Sequence, residues 1–281
     1  MQRAPTMPPS PWYANAPLSM AHLCELDTPP AALISLAAKA GIATVGLRIA
    51  PASPGGLAYP LPSATEQADV RQRCGDTGVA VLHIELISIT EATVPADFRR
   101  MLETGAAIGA TRVVAAGDTD NFDIVAEKLA AICDFAQPLG LAVDLEFMPF
   151  RGVRSLADAV HVVNACGRLN AHILVDALHI IRSGTPLEDL RRLDPDLVGT
   201  FHICDGPLAA PSDLVAEART QRQTPGVGAF PLFAMLNALP AGTAIGVEVP
   251  LPPQFPTLSR VERMKKLATH TRSFLSQGQE V

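Results

Sequence analysis

Short, β-branched apolar runs alternate along this chain with longer stretches whose apolar residues recur at helical spacing. The runs predict strands at 18–23, 43–47, 79–87, 112–116, 141–145, 172–175, 197–203 and 243–247. Between them, Val125, Leu129, Ile132 and Ala136 repeat at i, i+4, i+7 and i+11, and Leu156, Val160 and Val163 at i, i+4 and i+7, so each set lies on one helix face. Gly41, Gly109 and Gly140 each fall between a helix pattern and the next strand, where a helix-terminating glycine belongs. A last amphipathic stretch covers 258–275. Eight strands alternating with about eight helices predict an α/β fold, a single (β/α)8 TIM barrel over residues 1–281, with 1–15 an irregular N-terminal extension. A doubly wound open sheet is the alternative, but no GxGxxG follows the first strand and no Walker sequence is present.

Composition narrows the partners. Of 281 residues, 48% are hydrophobic and 18% charged, enough for a large core. The net charge is −6 and the 22 Lys and Arg are scattered without a basic stripe, so nucleic acid is not an expected partner. Five cysteines, odd in number and without a CxxC pair, predict buried thiols in a reducing compartment and neither disulfides nor a thiolate zinc site. The proline-rich start has no apolar signal core, and no run reaches the ~20 apolar residues of a membrane span. The expectation is a cytoplasmic protein with no membrane partner.

Charge placement carries the chemistry. A barrel strand is buried on both faces, so a charge in or just after one is costly unless paired or bound to metal. The fifth strand ends LAVDLEF at Glu146, the sixth runs HILVDALH through Asp176 to His179, the seventh runs GTFHICDG through His202 to Asp205, and the eighth ends AIGVEVP at Glu248. Four consecutive strands thus deliver a carboxylate or imidazole to one rim. Singly, each has an ordinary reading: Asp176 as a helix cap, His179 as a half-buried histidine, His202 as a core histidine. Together, Glu146, Asp176 and Glu248 would resist joint ionisation. One divalent metal ion held by these three and His202 removes the conflict and leaves the filled site near −1. Oxygen and nitrogen donors suit Mn, Mg, Zn or Co alike. Two long connections, 49–65 and 205–229, follow strands and so belong to the same C-terminal face, as substrate covers.

The runs LEFMPFRGV, LVDALHIIRSG, FHICDGP, RQTPGVG and GVEVP resemble the xylose-isomerase-like barrel superfamily of sugar isomerases and epimerases, from Gly41 onward and most strongly over 141–248. Its relatives include ketose 3-epimerases, hydroxypyruvate isomerase, and inosose and 3-dehydroshikimate dehydratases. The resemblance implies one metal on Glu146, Asp176, His202 and Glu248, with His179 completing a D-x-x-H pair as a substrate contact. The superfamily's three-zinc DNA-repair endonucleases carry further histidines; here the fourth strand reads TRVVAAGD and the seventh is followed by CDGP, which disfavours nuclease activity.

Other polar residues point to the same mouth. Arg48, which ends the second strand, and Glu85 in the third are read as substrate contacts, as an ion pair, or as both with Glu85 orienting Arg48; His83 shares the face of Glu85. Arg222, before a Pro225–Gly226 turn, is read as a clamp for a substrate anion, against a solvated loop arginine. Asp205 would tether that loop or support His202 from behind. The expected chemistry is isomerisation or epimerisation of a small polyhydroxylated or keto-acid substrate. In it Glu146 and Glu248, as catalytic residues on opposite faces, remove and return a C–H proton beside the metal. Alternatives are a dehydratase using the same apparatus, hydrolysis by metal-activated water, and a sugar-binding barrel without catalysis. Barrels of this kind often pair through exposed loops, so a homodimer is the expected assembly.

Overall fold

The computed structural model describes residues 11–278. Eight parallel strands, β1 (Leu18–Met20), β2 (Thr44–Arg48), β3 (Ala80–Ile89), β4 (Arg112–Gly117), β5 (Ala142–Glu146), β6 (Ala171–Asp176), β7 (Val198–Ile203) and β8 (Ala244–Val247), close into one barrel in sequence order. The outer helices are α1 (Pro30–Lys39), α2 (Ala64–Thr77), α3 (Arg99–Ala107), α4 (Phe122–Ala136), α5 (Leu156–Cys166), α6 (Ala177–Arg182), α7 (Leu187–Arg191), α8 (Leu214–Ala216), α9 (Leu232–Ala238), α10 (Leu251–Gln254) and α11 (Arg260–Gln277). The predicted (β/α)8 barrel is therefore the fold, and all eight predicted strands are present. Their near-continuous apolar runs follow from burial on both faces, by the barrel interior and by the helices.

Local chemistry sets the boundaries. Ser63 with Glu66, Ser155 with Asp158 and Ser259 with Glu262 form reciprocal capping boxes at the starts of α2, α5 and α11. Each such cap contributes on the order of 1 kcal/mol. Gly41, Gly109 and Gly140 all have positive φ (69°, 82° and 73°), the conformation expected of glycines that end helices.

Three expectations need correction. β1 stops at Met20, not residue 23, because a 3-10 turn His22–Glu25 follows at once. It is held by the His22 ring, which accepts the Arg48 N–H, and by Glu25, which Arg263 clasps with two hydrogen bonds. Helices number eleven among the described residues, the extra ones being short turns within the β6–β7, β7–β8 and β8–α11 connections. Residues 12–15 are not irregular: they form a 3-10 turn that buries Tyr13, whose hydroxyl donates to Asn237 and whose ring packs beside Phe233. Residues 1–10 of the expected extension lie outside the described residues.

The barrel interior is layered. His83, Asp144 and Thr200 come from β3, β5 and β7, which are not neighbours in the sheet, so their side chains can meet only inside. Glu85, Glu146 and His202 lie two residues further along the same strands, one layer higher on the same inward face. Leu86, Val114, Ala116, Met148 and Leu174 form a small separate apolar cluster, of which Leu86, Val114 and Met148 face the mouth.

Candidate metal centre

Glu146 ends β5, Asp176 ends β6, His202 lies one residue before the end of β7, and Glu248 directly follows β8. Each offers a ligand atom, all within 4.8 Å of one another, and all four residues are buried. His202 stands beside Asp176 in the β6–β7 register. Its ring occupies the space a Cβ on Gly246 would need, so β8 must be bare there. Asp176 Oδ1 accepts the His179 N–H and caps α6, as one of its two readings expected, while Oδ2 accepts from Arg222 within the cluster.

Arg222 enters this group from the loop after β7. Its Nη1 donates to Asp176 Oδ2 at 2.6 Å and its Nη2 lies 2.9 Å from Glu248 Oε2. At 3% exposure it is the reverse of a solvated loop arginine. The loop is anchored to deliver it. Asp205 accepts the backbone N–H groups of Gly206, Gly226 and Phe230, and a buried Arg182–Glu217 pair closes at 2.7 and 2.6 Å. A single π-helical turn, Glu217–Gln221, then brings the Ala218 carbonyl under Arg222 Nε. Asp205 is therefore the tether and makes no hydrogen bond to His202; beyond the strand end its carboxylate is saturated by its own loop.

The electrostatics show crowding that no protein group relieves completely. Burial, then the Glu248 and Asp176 carboxylates, push Glu146 up to about 8. Burial alone would depress His202, but Glu248, Glu146 and Asp176 outweigh it and lift the imidazole to about 9. Glu248 is penalised by burial yet held well below the carboxylate range by Arg222 and His202. His202 Nδ1 is enclosed and without a hydrogen-bond partner, 3.5 Å from Glu248 Oε2. Three buried carboxylates beside an imidazole with an unused nitrogen fit one divalent ion. With Arg222 counted, three negative charges, one arginine and a dication sum to zero, where the sequence alone had left −1.

Above these four residues lies a cleft of ≈ 610 Å³, including its open mouth. Glu146, His202, Glu248, Arg48, Glu85, His179 and Arg222 all face it, while Asp176 lies beneath, fully buried. Arg48 does pair with Glu85, at 3.1 Å, while Arg48 Nε and Glu85 Oε1 are left without partners. Gly46 makes room for the Glu85 carboxylate. Burial lowers His179 to about 4, so its ring is neutral; it stands edge-on to Phe150, with Nε2 3.8 Å from Glu146 Oε1. His83 lies below this level, bound to Asp144, and does not face the cleft. Sequence reasoning missed Arg151 and Arg219 in the cleft wall, together with Leu86, Met148 and Phe150. The available signal was position: Arg151 lies five residues past Glu146, and Arg219 three before Arg222, both on loops of the C-terminal face.

The chain resembles known proteins in both sequence and fold. Inosose isomerase of Bacillus velezensis is 30% identical over 193 residues, 64% of this chain and 68% of that protein. The Bacillus subtilis inosose isomerase is 31% identical over 153 residues, 51% of this chain and 54% of its own length. Among solved structures, the IolI protein with a binding zinc atom superposes with a TM-score of 0.78 at 21% identity, covering 92% of this chain and 98% of that one. D-psicose 3-epimerase in the presence of D-fructose gives 0.71 at 17% identity, covering 92% and 99%. The model of the xylose isomerase-like TIM barrel matches residues 34–273, which span β2 to β8 and include Glu146, Asp176, His202 and Glu248. With barrel, rim and sequence in accord, the chain belongs to the xylose isomerase-like TIM barrel family.

Proposed function

We propose that the protein is a divalent-metal-dependent isomerase or epimerase of a small keto-sugar or polyol, working by proton transfer at carbon. The observation that carries this reading is the placement of Glu146 and Glu248. They belong to one four-ligand group but rise from β5 and the end of β8, three strands apart around an eight-strand ring. Two carboxylates that flank one cleft can serve two faces of a substrate carbon, one taking a proton and the other returning it. Glu146, Asp176, His202 and Glu248 would hold the ion, which when bound supplies Lewis-acid charge beside the substrate's oxygens. Arg222 holds Asp176 and Glu248 in place, and neutral His179 offers a hydrogen bond at the Glu146 side. The inosose isomerase relatives, together with neutral His179 in the cleft wall, support a hydroxylated ring or chain as substrate.

The test is exchange of substrate C–H for deuterium in heavy water, with candidate ketoses and cyclic polyols. Glu146→Gln and Glu248→Gln should each lower exchange by about 10²-fold or more, the scale of a lost general acid or base. Exchange retained in both variants would overturn the scheme. Product identification by NMR on the active substrate separates isomerisation from epimerisation and from dehydration.

A further inference from the structure

The cleft over the four ligands opens sideways into a second hollow of ≈ 1160 Å³, again including open space. The two share Ala52, Leu86, Phe150, Arg151 and Arg219 as a common wall, so two cations stand among apolar side chains at the junction. Each other cation facing the cavity has its own acid. Arg222 is matched by Asp176 and Glu248, and Arg48 by Glu85. Arg151 meets Asp118 at 3.2 Å, but that aspartate is 43% exposed and shares its charge with water. Arg219, at the exposed rim, has no ion pair or hydrogen bond among the described residues. Since the four-ligand group with its dication and Arg222 sums to zero, the cavity is left with one positive charge.

We infer that the substrate carries an anionic group, a phosphate or a carboxylate, which sits between Arg151 and Arg219 while its keto or hydroxy head reaches the four-ligand group. The inference rests on the metal-dependent reading above and adds the substrate's charge to it. Arg151 is built for the task. Its side chain is 10% exposed and is fixed by the Ser88 hydroxyl at 2.9 Å and the Ala52 carbonyl at 2.9 Å, with Nε enclosed and without a partner. Ser88 accepts from Arg151, so its own proton is free to be donated to a ligand. Leu86 and Phe150 beside the guanidinium lower the local dielectric, which strengthens its attraction to an anion and penalises leaving it unanswered. A neutral polyol would leave that charge unmet.

Calorimetry on the metal-loaded protein with D-fructose, D-fructose 6-phosphate and 2-keto-D-gluconate tests this. At least one of the two acids should bind tenfold or more tighter than D-fructose, and which one does so separates phosphate from carboxylate. Arg151→Gln and Arg219→Gln should each reduce that advantage by tenfold or more without changing metal content. Arg219 is exposed, so its variant keeps the test decisive if Arg151→Gln does not fold. Equal affinities for all three ligands, binding by none, or an acid preference that survives both substitutions would overturn the inference. If Glu146→Gln and Glu248→Gln retain exchange while the acid still binds through the two arginines, the catalytic reading falls and the anion site stands.

Discussion

Two layers of buried charge lie one above the other inside this barrel, and they are resolved in opposite ways. In the lower layer, Asp144 accepts from Arg112 Nε at 2.7 Å and Nη2 at 2.6 Å and from Thr200 Oγ1 at 3.0 Å, and meets His83 Nε2 at 3.1 Å. Although burial penalises it, Arg112 and His83 hold its carboxyl well below the usual range. In the upper layer one arginine answers two of three carboxylates, Glu146 is pushed to about 8, and enclosed nitrogens of His179 and His202 lack partners. The first is charge completed by protein, which is structural. The second is charge left for something else to complete, which is what a binding site in a closed barrel requires.

The contrast breaks first at Asp144. Its replacement by Ala leaves Arg112 and His83 facing an empty interior, and should cost about 3–5 kcal/mol in denaturant unfolding, as for a broken buried pair. A loss below ~1 kcal/mol would show that the lower layer is not structural. Next in size is the ion itself. Metal at about 100 times its Kd should stabilise the protein by about 2.7 kcal/mol, seen as a raised Tm that chelation reverses and Asp176→Asn abolishes.

Acid and base should act on the two layers with opposite sign. The depressed carboxyl of Asp144 contributes stability above its unfolded pKa of ~3.9, lost as pH falls through the folded value. Glu146 and His202, raised to about 8 and about 9, contribute stability at low pH that is lost as pH climbs through those values. Metal-free protein should therefore weaken from pH 7 to 9 by up to ~1.4 kcal/mol per pH unit for each proton released, while metal-loaded protein should not. A flat metal-free profile over that range would contradict the crowding. The smallest effect is Glu146→Gln in metal-free protein. Removing one of three crowded acids should leave stability within about 1 kcal/mol of the original, far from the result at Asp144.

What the sequence shows of these layers divides along the range of the contacts. Strands were legible as apolar runs, and Glu146, Asp176, His202 and Glu248 as charges that such runs should not end on. The Arg48–Glu85 pair was legible too, because parallel register sets Arg48, at the end of β2, beside Glu85 within β3. The burial of Arg222 was not, since it depends on Asp176 and Glu248, 46 and 26 positions away, and on a π turn with no sequence signal. Arg151 reads as a loop arginine until Ala52 and Asp118, from two other connections, and Ser88, from β3, are seen to converge on it. Asp144 was visible in LAVDLEF, but only Arg112 and Thr200 reveal it as a structural charge.

The anchoring of the loop after β7 has a consequence for how such a barrel can change its diet. Asp205 and the Arg182–Glu217 pair clamp the loop at its root, and Arg182 also grips the carbonyls of Pro207 and Leu208. The side chains of Leu208, 60% exposed, and of Arg219 make no hydrogen bond or ion pair with Arg222 or its two acids. Substitutions there can accumulate without disturbing the reacting centre, so the tip behaves as an exchangeable cassette on a fixed socket. Lineages of this barrel can therefore explore new substrates one rim residue at a time, each step leaving a folded, metal-competent protein behind it.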